Sequence, residues 1–190
     1  KEAQLIKELV ANASQNRVDF VWAIHPGKDI KWNKADSIAV LKKFDAMYQL
    51  GVRSFAVFFD DISGDGTDAK KQAGLLNYIQ HEFISKRKDM KELIMCPTEY
   101  NKGWSNPKPG TYLDILGDEL DPAIFVMWTG NTVIADNTKE GLEWVNKRIR
   151  RPAFVWWNFP VSDYVRDHLL MGPAYGYALD LKQDMSGFVS

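Results

Sequence analysis

The feature that most constrains this chain is an alternation. Short apolar runs recur between longer stretches whose apolar positions follow helical spacing. The runs "VDFVWAI" (18–24), "SFAVFF" (54–59), "ELIMC" (92–96), "AIFVMW" (123–128) and "AFVWW" (153–157) are rich in β-branched and aromatic residues and read as strands. They are apolar almost throughout, so both faces are expected to be buried. Helices are predicted over 2–16, 35–51, 68–87, 111–120, 138–149 and 162–172. In the first, Leu5, Ile6, Leu9, Val10 and Ala13 share a face. Gly51 is expected to stop the second helix and Asp68 to cap the third. Ser162 or Asp163 is expected near the cap of the last, and "SGFVS" (186–190) to begin one more strand.

This pattern predicts a parallel sheet covered by helices, an α/β fold. An open doubly wound sheet and a (β/α)8 TIM-type barrel both fit the alternation. Polar and aromatic residues follow nearly every strand at its C-terminal end: Asp60 and Asp61; Thr98, Glu99 and Tyr100; Trp128 and Thr129; Asn158 and Asp163. An open sheet gathers its ligand contacts at one switch point, whereas a barrel collects them from many strand ends around one mouth. The barrel fits better. Five strands and the start of a sixth fall short of the eight strands and about 250 residues of a closed barrel. The expectation is therefore one partial barrel domain over 1–190, about strands 3 to 7 plus the start of 8, lacking the N-terminal strands and the C-terminal closure. Its unpaired strand edges would be an aggregation hazard.

The 190 residues are 45% hydrophobic and 26% charged, which suits one domain with a real core. The formal net charge of −1 and the lack of a base-binding motif argue against a nucleic-acid partner. The basic runs "KRKDMK" (86–91) and "KRIRR" (147–151) read as solvated helix ends. No apolar stretch reaches the roughly 18–20 residues of a membrane span. The opening "KEAQLIKELV" is amphipathic and charged, unlike a signal peptide. Cys96 is the one cysteine, which excludes an intrachain disulfide and a zinc–cysteine cluster but fixes no compartment.

The chemistry turns on "FAVFFDDISGDGTD" (55–68), where an apolar run ends in two adjacent aspartates. As a calcium loop, "DISGDGTDAKKQ" (61–72) offers Asp61, Ser63, Asp65 and Gly66 in register, but Gln72 stands where a bidentate glutamate belongs. Gly64 and Gly66 more simply let the loop turn. "HEFIS" (81–85) has Ser85 in place of a second zinc histidine, and no nucleophile elbow or phosphate loop occurs. No metal or cofactor is implied. The histidines show no triad spacing, and His25, at a strand end, is at most a supporting residue. Two like charges at the end of an apolar run repel, and burial disfavours keeping both ionised. That marks Asp60 and Asp61 as candidates for acid–base work. Neighbouring strand residues face opposite ways, so the strand must end there if both serve one ligand. They would then sit too close to flank a sugar as the usual two-carboxylate glycosidase pair does. Trp128, Trp156 and Trp157 end strands, and with Asn158 and Asp163 they suggest a carbohydrate site. Trp156 and Trp157 should face opposite sides, one of them under the helices.

Four motifs, "FAVFFDDISGDGT", "MCPTEYNKGWSNP", "MWTG" and "VWWNFPVSDYVRDHLLMGP", together resemble glycoside hydrolase family 84, the O-GlcNAcases and bacterial β-N-acetylglucosaminidases. The resemblance covers essentially the whole chain. It implies retaining, substrate-assisted hydrolysis, in which the substrate's own 2-acetamido oxygen attacks the anomeric carbon and forms an oxazoline. By motif position, Asp60 would orient the acetamido group and Asp61 would act as general acid and then base. Tyr100 would donate to the acetamido oxygen. Trp156 would wall the acetamide pocket, with Thr129 and Val133 nearby. Asn158 and Asp163 would hold outer hydroxyls, and Cys96 would lie near the pocket without a chemical role. The implied partner is an N-acetylglucosamine-bearing glycoprotein or glycan. If the source is bacterial, the resemblance favours a periplasmic or secreted location. The isolated chain is expected to lack full activity. Two other readings stand beside this one: a non-catalytic barrel that binds such glycoproteins, and an inactive structural fragment.

Overall fold

The computed structural model describes residues 1–159, 161, 167, 168, 172 and 179–189. The helix expected over 162–172 lies almost wholly outside them, and Asp163 with it.

Six strands form one sheet: β1 (Val21–Ile24), β2 (Ser54–Phe58), β3 (Ile94–Cys96), β4 (Phe125–Trp128), β5 (Ala153–Trp156) and β6 (Met185–Val189). Every adjacent pair is parallel, and the spatial order follows the chain order from β1 to β6. Among the described strands the order never reverses, so they hold no switch point. This is barrel topology, and the sheet is a six-stranded part of a (β/α) barrel. The expected sixth strand is present as β6.

The helices are α1 (Glu2–Gln15), α2 (Lys34–Gln49), α3 (Ala69–Ile79), α4 (Tyr112–Glu119) and α5 (Lys139–Ile149). Asp68 caps α3 as expected, accepting from Lys71 N at 2.9 Å. Gly51 has φ +103° just past α2, where Val52 N donates to Met47 O and Gly51 N to Tyr48 O. That pair of bonds is a Schellman stop, which the left-handed residue makes possible. The same motif ends α1, with Arg17 at φ 57° and Val18 N on Ala13 O. Val18 is thereby committed to the helix end, and β1 begins at Val21 rather than at 18.

Alternate strand residues divide between two layers. Phe55, Val57, Met95, Val126, Trp128 and Val155 face the helices in one continuous core. Within it Phe44 of α2 stacks on Phe55 at 4.6 Å, and Phe83 meets both rings edge-on. Each such ring contributes about 1.5–3 kcal/mol by leaving water. Ala56, Phe58, Ile94, Cys96, Met127 and Trp156 face the opposite, concave side. Both faces of the strands are therefore apolar, as their composition predicted.

Two expectations are corrected. The third helix does not run to residue 87 as a regular helix: from Gln80 to Ile84 it widens into a π turn and ends at Ser85. Arg87 instead lies over the Phe83 ring, donates to Phe83 O and pairs with Asp45. Nor is "KRIRR" merely a solvated helix end. Arg148 is buried, and Arg151 donates to the carbonyls of Leu120, Asp121 and Ile124. Those acceptors lie at and beyond the open end of α4, so the cation supplies donors that a helix C-terminus lacks.

Candidate active site

The site grows from the C-terminal ends of the strands. β2 ends at Phe58, and Phe59 N makes a last bond to Cys96 O at 2.9 Å. Asp60 and Asp61 then lie in a turn, with Asp61 at φ 51° in the left-handed region. Aspartate tolerates that conformation better than most residues. The kink meets the condition the sequence set, that the strand must end for both carboxylates to serve one ligand.

Asp60 borders a cavity of about 440 Å³ on the concave face, shared with Phe58, Cys96, Met127 and Trp156. Its Oδ1 is buried, with His25 Nε2 3.7 Å away, and accepts no hydrogen bond of ordinary length among the described residues. His25, at the end of β1, holds the Asp60 backbone: Nε2 lies 2.7 Å from the carbonyl oxygen. A carbonyl only accepts, so Nε2 carries the proton. His25, expected at most to support the site, is in contact with Asp60.

Asp61 is met from β3. The Tyr100 hydroxyl donates to Asp61 Oδ1 at 3.0 Å. Tyr100 is 3% exposed and lies between two indoles, with Trp156 at 5.5 Å and Trp104 edge-on at 5.2 Å. Burial raises the phenol above its ordinary value, and the bond to Asp61 and the nearby carboxylate charges add to that. Tyr100 therefore remains a hydrogen-bond donor at neutral and mildly alkaline pH. Cys96 is also buried, and its thiol is pushed well up, first by burial and then by the charges of Asp60 and Asp61. It remains a thiol.

The loop after β4 closes against this group. Lys102 N donates to Gly130 O and Gly103 N to Asn131 O, both at 3.0 Å. Gly130 has φ +130°, and a Cβ there would stand 2.8 Å from Ala135 Cβ, so a side chain is excluded. Thr129 is buried, and its hydroxyl faces the carbonyls of Thr132 at 2.9 Å and Tyr100 at 3.3 Å. It braces the loops rather than facing the cavity. Val133 packs on the Cys96–Tyr100–Met127 cluster together with Trp156, and its carbonyl accepts from Asn158 Nδ2 at 2.8 Å. Trp157 turns the other way, into the helix-side core. Asp60, Asp61, Tyr100, Cys96, Val133, Trp156 and Asn158 are thus brought together.

Three residues here escaped sequence reasoning. Trp104 is 58% exposed beside Tyr100, with no periodic pattern to flag it. In the sequence Gln72 stands out only as a failed calcium ligand; it is fully buried and bonded to Gly66 O and Thr98. Arg148 was hidden in a basic run. Gly66 also serves differently from expectation: a Cβ there would collide with the carbonyl oxygen of Gly27, so its role is close approach. Gly64, at φ +72°, is the turn.

Fold and site define a class: a (β/α)-barrel domain with paired carboxylates, a phenol and an indole wall at the C-terminal strand ends. Known proteins make the class specific. The family model described as beta-N-acetylglucosaminidase matches residues 1–190, and the chain belongs to that family. Protein O-GlcNAcase of Mus musculus and of Rattus norvegicus are each 32% identical to it over a 199-residue alignment. Those alignments cover 100% of this chain and 22% of each relative, so the chain spans about a fifth of their length. The solved structure of CpGH84B superposes with a TM-score of 0.91 at 39% identity, over 98% of this chain and 34% of that one.

Proposed function

We propose that this chain carries the catalytic face of a retaining β-N-acetylglucosaminidase that works by substrate assistance on N-acetylglucosamine-bearing glycoproteins or glycans. The observation that carries the reading is the buried Oδ1 of Asp60, approached only by His25 Nε2 at 3.7 Å among the described residues, beside the Tyr100–Asp61 bond. A buried acceptor without a donor is costly unless a ligand supplies one. An acetamido N–H is a donor of the right kind. Held there, the acetamido oxygen attacks the anomeric carbon while Asp61 protonates the departing oxygen. An oxazoline forms as the glycosidic bond breaks and the acetamido N–H proton passes to Asp60. Asp61 then takes a proton from the water that opens the ring. The Tyr100 hydroxyl, which has a single proton, turns from Asp61 to the acetamido oxygen as charge develops there. Trp156 and Val133 wall the acetamide, and Asn158 and Asp163 hold outer hydroxyls. Two neighbouring carboxylates suffice because the nucleophile belongs to the substrate.

The test is hydrolysis of aryl N-acetyl-β-glucosaminides by the full-length protein. Asp61→Asn is expected to lower turnover by roughly 10²–10⁴-fold. Wild-type rates in that variant would sink the assignment. Equal hydrolysis of the aryl glucoside that lacks the acetamido group would refute assistance.

A further inference from the structure

Gln72 sits in the first turn of α3 with no exposed surface. Its side-chain NH2 donates to Gly66 O at 2.7 Å and to Thr98 Oγ1 at 2.9 Å. Its Oε1 accepts the Tyr112 hydroxyl proton, and Tyr112 Oη in turn accepts from Thr98 N at 2.9 Å. The amide orientation is determined by its partners. Gly66 O only accepts, so nitrogen must face it. Both amide hydrogens and the oxygen are thereby engaged.

Three chain segments meet at this amide. Gly66 lies in the loop that follows Asp61, Thr98 is two residues before Tyr100, and Tyr112 opens α4. The Asp61–Tyr100 bond of 3.0 Å joins the same two loops. An apolar side chain would fill the space under the loops but would strand Gly66 O, Thr98 and the Tyr112 hydroxyl. A glutamate would offer acceptors to Gly66 O, which needs a donor. Only an amide supplies two donors and an acceptor at this point.

We infer that Gln72 is a positioning residue, which with Tyr112 sets the spacing between the acid loop and Tyr100. The inference rests on the proposed function, since it acts through Asp61. A misplaced general acid hurts most where the leaving group needs its proton. A weakly basic leaving group departs with little help. A purely structural defect lowers the concentration of folded enzyme and affects all substrates alike.

The experiment compares kcat/KM for phenyl and 2,4-dinitrophenyl N-acetyl-β-glucosaminides in the full-length protein, with Gln72→Leu, Tyr112→Phe and Asp61→Asn. Gln72→Leu is expected to lose on the order of 10²-fold on the phenyl substrate, because small misplacements have that size of effect. Its loss on the dinitrophenyl substrate should be at least roughly tenfold smaller. Tyr112→Phe, which removes one oxygen, should show the same bias and keeps the test open where Gln72→Leu fails to fold. Equal losses on the two substrates, unchanged rates, or failure of Tyr112→Phe to fold would each overturn the positioning role. Asp61→Asn separates the two levels. Wild-type turnover there sinks the proposed function. A collapse there beside unbiased Gln72 and Tyr112 variants sinks the positioning role alone.

Discussion

At the scale of the residue, the site depends on where single polar atoms find partners. Asp60 keeps one buried oxygen without a hydrogen bond of ordinary length, with His25 Nε2 3.7 Å away, while Asp61 is engaged by Tyr100. The adjacency of the two aspartates was plain in the sequence; their unequal surroundings were not, because the partners come from β1 and β3. Under the proposed mechanism, Tyr100→Phe would remove one donor to developing charge. It is expected to lower kcat/KM for an aryl N-acetylglucosaminide by about 10²–10³-fold, measured by steady-state kinetics in the full-length protein. Cys96 gives a chemical reading of the same wall. It is 1% exposed and held as a thiol, so iodoacetamide should modify it slowly in the folded protein and readily in denaturant. Mass spectrometry of the two states checks this, and equal labelling rates would contradict the burial.

At the scale of the element, the loop from 97 to 111 that carries Tyr100 is held from α5. The Arg148 guanidinium donates to Asp114 Oδ2, to Thr111 Oγ1 and to the carbonyls of Asn106 and Lys108. Burial pulls the Asp114 carboxyl up, but the bonds and charge of Arg148, with the Gly110 N–H and the charge of Arg150, together hold it below its ordinary value. Arg148→Ala would leave Asp114 without its main partner in a buried place. The expected loss of stability is about 3–5 kcal/mol, read as a lower urea midpoint. Activity should fall in step as the loop loosens. A basic run in sequence gives no sign of this, because a solvated arginine and a buried one look alike until the acceptors are brought near. The helix ends were more legible. Gly51 and Asp68 act through their own chain neighbours, so local chemistry decides them.

At the scale of the whole molecule, the sheet makes one buried layer with the helices and a concave face that carries the site. Two phenols, the buried Tyr100 and the half-buried Tyr112, tie that face to the core. Burial raises both above the ordinary phenol value near ~10. A folded-state value above the unfolded one gives stability that is complete below the unfolded value and is lost as pH rises beyond it. Thermal melting across alkaline pH should therefore show a falling midpoint above about pH 10, less steep in Tyr112→Phe relative to its own neutral-pH midpoint. A flat profile would contradict the raised phenol values. The sequence by itself determined the alternation of strand and helix, the strands buried on both faces, the caps and stops, and the cluster of unusual residues at strand C-termini. Periodicity and turn chemistry act over a few residues, so they are written locally. Only the tertiary structure decided that the sheet order never reverses and that Gln72 bridges two loops. It also decided that Arg148 is buried and that Thr129 braces rather than lines the cavity. Each of these depends on which distant acceptor or donor a side chain meets, and that is set by long-range packing.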